Sequence, residues 1–209
     1  MSLITVTAAP FYPVSRAEAK LWIRESGTDQ DAIVDMLIAA MTSYAENLTH
    51  RAFVQRSLEL DLESFYCDED GDGDIDLPFP PLISVDYVKY IDTGGVLQTL
   101  ASDQYDVDSN AQPGKIQPAY QCYWPSIRTW SVNPVRVGFT CGYAPTGSPT
   151  GEEVNYQAPI PAELKLWMKA RIATLYENRE QLVADNNIEI PRHFADGLLD
   201  SLTVGTRLF

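Results

Sequence analysis

The chain has 209 residues, 45% of them hydrophobic and 21% charged, and its 29 acidic against 15 basic side chains leave a formal charge of −14. That length buries a sizeable core without staples, as one domain or one domain with a large insertion. So acidic a chain is excluded from roles whose affinity comes from neutralising nucleic-acid phosphates, although an acidic wall suits a conduit that DNA must not stick to.

Residues 1–14 read as a short, proline-bearing extended lead-in, without the basic start and apolar run of a signal peptide. Ser15 and Glu18 form the S-x-x-E capping box, and a first helix is expected over residues 17–25, with Leu21, Trp22 and Ile23 on its apolar side and Gly27 ending it. Thr28 and Asp31 repeat the capping logic before a second helix over about residues 29–48. Its expected core face carries Ile33, Leu37, Met41, Tyr44, Ala45 and Leu48, with Val34 and Ile38 beside them. His50 closes this helix as a polar end residue, since no cysteine or second histidine lies near it to make a site.

From Phe53 the apolar period changes from about 3.6 to about 2. Leu58, Leu60 and Leu62 alternate with Glu59, Asp61 and Glu63, the pattern of a strand with one wet face. Residues 83–92 and 96–100 flank the turn Thr93-Gly94-Gly95 as a hairpin. Further short strands are expected at 104–108, 115–118 and 134–141. Residues 144–159 have the composition of an exposed loop. Pro161 then opens a helix to residue 180, with Leu164, Met168, Ile172, Leu175 and Tyr176 as one apolar stripe that Leu166, Trp167, Ala170 and Ala173 widen, so burial on more than one side is expected. Beyond Pro191, Phe194, Leu198, Leu199 and Leu202 can share a face. The terminal LTVGTRLF is largely apolar, and it either docks on its own domain or waits for a neighbour.

The expected fold class is therefore α+β: a helical bundle of two long helices plus short helices, with an inserted antiparallel β-rich module and an extended C-terminal tail. Residues 1–53 would form the N-terminal helical part, 54–143 the inserted module and 144–159 the loop, while 160–209, the C-terminal helix and tail, would complete the helical part.

Little in the chain points to catalysis. There is no G-x-S-x-G, no H-E-x-x-H and no Walker loop, and the only histidines are His50 and His193. The three cysteines, Cys67, Cys122 and Cys141, are odd in number and lack a C-x-x-C, which reads as reduced thiols in a cytosolic setting. No stretch approaches the roughly 18 apolar residues of a membrane span, so no membrane partner is expected.

One motif suggests a cation. In CDEDGDGDIDLPF, Asp68, Asp70 and Asp72 fall at the first, third and fifth positions of a calcium loop, with Gly73 at the sixth and Asp76 at the ninth. The twelfth position is Phe79 where a bidentate glutamate is needed, so the expectation is an acidic, solvated loop without a cofactor. The alternative is weak Ca²⁺ binding by Asp68, Asp70, Asp72, Asp74 and Asp76, whose mutual repulsion a cation would relieve, and with it a calcium-dependent binding module.

Several blocks in order carry a resemblance: PVSRAEAKLWIR, DAIVDMLIAAMTSYAENLTHRAF, LPFPPLISVDYVKYIDTGGVLQTL with QYDVD, PGKIQPAY, the pair Trp124-Pro125, PVRVGFTCGY and IPAELKLWMKARIATLYENRE. Together they resemble the head-tail connector or adaptor proteins of long-tailed phages, prophages and gene-transfer particles. The chain departs from that family in having His50 before Arg51, where a glycine is usual, and in the length of its acidic loop. The resemblance implies a non-enzymatic virion protein of the neck, assembled in the host cytoplasm as a ring, commonly dodecameric. Its partners would be the portal protein above and a stopper or tail protein below, with packaged DNA passing through the lumen without specific binding. It also implies that the C-terminal segment reaches the portal, which makes Leu198, Leu202, Val204, Arg207, Leu208 and Phe209 the candidate contact residues. The nearest rival role is another neck protein, a stopper or tail-completion factor.

Overall fold

The computed structural model describes residues 2–7, 12–65, 73–128, 131–144, 160–177 and 197–204. The chain divides into two compact units, one of residues 1–9 and 55–142 and the other of residues 10–54 and 143–209. No described helix is long and apolar enough to cross a membrane.

The first unit is made of two antiparallel sheets. One has five strands in the order β1-β2-β8-β4-β5, with β1 Ser2–Thr7, β2 Arg56–Leu62, β4 Leu82–Ile91, β5 Leu97–Thr99 and β8 Val135–Cys141. The other has three strands in the order β3-β7-β6, with β3 Ile75–Leu77, β6 Tyr105–Asp108 and β7 Gly114–Pro118. Leu58, Leu60 and Leu62 are buried as their alternation predicts, beside Val135, Val137 and Phe139 of the central strand. The expected hairpin is present: Gly95 N donates to Asp92 O at 2.9 Å, Val96 N donates to Asp92 Oδ1 at 2.9 Å, and Gly95 takes the positive φ of 86° that favours glycine. Phe65 and Trp124 stack at 4.7 Å, and Trp124 Nε1 donates to Gly73 O at 2.6 Å, which explains the isolated tryptophan of the Trp-Pro pair.

Gly138 is fixed by its neighbours. It sits in β8 opposite Glu59 of β2 and Tyr87 of β4, and the Tyr87 ring crosses over it to donate to Glu59 Oε2 at 2.6 Å. A Cβ at Gly138 would stand 2.3 Å from Tyr87 Cζ. The hydrogen bond to Glu59, with burial, pushes the Tyr87 hydroxyl up to about 12.

The second unit holds three α-helices among its described residues: α1 Arg16–Ile23, α2 Asp31–Thr49 and α3 Ala162–Glu177. The capping box of α1 forms as expected, with Glu18 N on Ser15 Oγ at 3.1 Å and Ser15 N on Glu18 Oε2 at 3.2 Å. The helix stops earlier than Gly27, at Arg24, which takes the left-handed φ of 59° itself. Arg16 donates to Asp35 at 2.7 Å and to Asp31 at 3.2 Å, and Lys20 bonds Asp31 at 2.5 Å, holding the Asp31 carboxyl below its ordinary range. His50 caps α2 with a φ of 52°. The core of this unit gathers Val34, Ile38, Ala45 and Phe53 around Leu164, Trp167, Met168 and Ile172.

Three expectations are corrected. The chain is not a helical bundle of two long helices carrying a β insertion: the described residues form three helices beside sheets of five and three strands, and the β part builds its own core from Leu60, Phe65, Ile116, Val137 and Phe139. Strands this short, separated by turns, carry less pattern than a continuous apolar helix, so β1 and β3 go unannounced in the sequence. On α2, the core face runs through Val34, Ile38, Thr42, Ala45 and Thr49, which leaves Tyr44 and Leu48 exposed. On α3, burial is confined to Leu164, Trp167, Met168 and Ile172, and Leu166 is exposed. Residues 178–180 of the expected helix lie outside the described ones.

Candidate interaction site

The C-terminal segment is the first candidate. Its described part, residues 197–204, is rooted on its own unit. Leu199 is buried in the helical core, with Leu198 and Leu202 packed partly against it. A 3-10 turn, Asp200–Leu202, follows, and Thr203 Oγ1 donates back to Leu199 O at 3.0 Å. Two bonds then tie the segment to the end of α2: Val204 N donates to Thr49 O at 3.0 Å, and the buried Arg51 donates through Nε to Leu202 O at 3.0 Å. A carbonyl held by a buried guanidinium is a charge-assisted bond, stronger than one between neutral groups.

Of the six sequence-predicted contact residues, the structure brings Leu198, Leu202 and Val204 together at this root. Arg207, Leu208 and Phe209 lie outside the described residues. The apolar side chains at 198, 199 and 202 serve the core of their own unit, which is the docking alternative that the sequence left open. Sequence reasoning did not find Arg51 or Glu46. Glu46 is only 7% exposed, and its Oε1 accepts from Phe53 N at 2.9 Å, fixing the exit of the chain from α2. A glutamate amid Ala45 and Thr49 on the core face of a helix was the available signal, because a buried carboxylate needs a donor.

The acidic loop is the second candidate. Asp68, Asp70 and Asp72 lie outside the described residues, while Asp74 and Asp76 stand 3.6 and 3.7 Å from Lys115 Nζ. Lys115 is therefore a counter-charge to these two of the five carboxylates. Among the described residues no group of three or more His, Cys, Asp or Glu side chains could hold a metal ion.

No protein-family model and no curated protein matches the chain. Solved structures do. A chain from the structure described as "Neck of empty GTA particle computed with C6 symmetry" is similar with a TM-score of 0.75 and 21% identity, over 100% of this chain and 98% of that one. A chain of "Virion of native gene transfer agent (GTA) particle" matches with a TM-score of 0.73 and 22% identity, again over 100% and 98%. A third, from "Neck of native GTA particle computed with C12 symmetry", matches with a TM-score of 0.69 and 21% identity over the same shares. At such identities the likeness shows a common fold, and it extends end to end.

Proposed function

We propose that this chain is a structural, non-enzymatic virion protein of the neck, a head-tail adaptor that assembles as a ring between portal and stopper or tail and continues the DNA channel. The observation that carries this reading is the full-length likeness to chains of particle necks, 100% of this chain against 98% of the neighbour at a TM-score of 0.75. The descriptions of those particles, with C6 and C12 symmetry, support a ring, and a dodecamer is the number proposed. The formal charge of −14 agrees with a channel wall that repels duplex phosphates.

Within this reading the C-terminal segment contacts the portal. Leu198, Leu202 and Val204 act as its anchored root, and Arg207, Leu208 and Phe209 supply the contact. The root is tied to the end of α2 through Thr49 O and Arg51. Negative-stain microscopy of particles produced without this chain tests the proposal. Heads without tails, emptied of DNA, beside separate finished tails are the expected result. Normally tailed particles would overturn it.

A further inference from the structure

We draw no further inference here: the strongest candidate, the free edge of β1 in the five-stranded sheet, whose residues Ser2–Thr7 are exposed and carry no charged side chain, carries nothing because nothing in the structure shows what covers it.

Discussion

The central strand of the large sheet and the second helix are both apolar, yet their side chains do different things. In β8, Val135, Val137, Gly138, Phe139 and Cys141 are all buried, and each side of the strand is filled by β2 or β4. In α2 only the side through Val34, Ile38 and Ala45 is filled, and Met36, Tyr44 and Leu48 on its other side are exposed. Apolar content therefore reports a core only where the chain supplies the packing partner.

This contrast can be broken or sharpened by substitution. The largest effect belongs to the filled strand: Phe139→Ala removes a ring that is 1% exposed, and chemical denaturation should show a loss of about 3–5 kcal/mol. Gly138→Ala comes next. Its new Cβ meets the Tyr87 ring at 2.3 Å, and overpacking of that kind costs about 1–3 kcal/mol, which the same unfolding measurement reads.

A smaller, pH-dependent effect belongs to Tyr87. Its hydroxyl is raised in the folded state from 10.0 to about 12. Between those values the folded chain keeps a proton that the unfolded chain has released, so the contribution is complete below pH 10, declines as pH rises and is lost above about 12. Denaturation midpoints of the wild type across this window should fall more steeply than those of Tyr87→Phe. Equal slopes would show that the bond to Glu59 contributes nothing.

The smallest effect on stability should come from the open helix face. Met36→Lys places a charge where the side chain is 63% exposed, and the unfolding free energy of the single chain should change by less than about 0.5 kcal/mol. A large loss would mean that the face is part of the chain's own core after all.

Several local elements could be read from residues, but the architecture could not. The Ser15–Glu18 capping box, the Thr93-Gly94-Gly95 hairpin and the alternation of Leu58, Leu60 and Leu62 are local signals, and each appears where its chemistry places it. What could not be read depends on residues far apart. β1 is recognisable as a strand only through its pairing with β2, more than fifty positions later by the Ser2–Asp61 register. Gly138 looks like a weak point in a strand until Tyr87 crosses it. On α2, Met36, Tyr44 and Leu48 are apolar yet exposed, so periodicity loses contrast and points to a face that includes Tyr44 and Leu48, which the structure leaves outside. In the tail, Leu198 and Leu202 were found by their spacing, whereas the bonds from Arg51 and Val204 that fix the root involve residues about 150 positions apart, as in the Arg51–Leu202 pair at a separation of 151.

The most direct measurement is the yield of tailed particles when the only copy of the chain lacks residues 205–209. With that variant as stable as the wild type in solution, the account predicts at least a tenfold fall, with untailed heads accumulating, because Arg207, Leu208 and Phe209 make the proposed portal contact. Wild-type yields from the folded, shortened chain would contradict it.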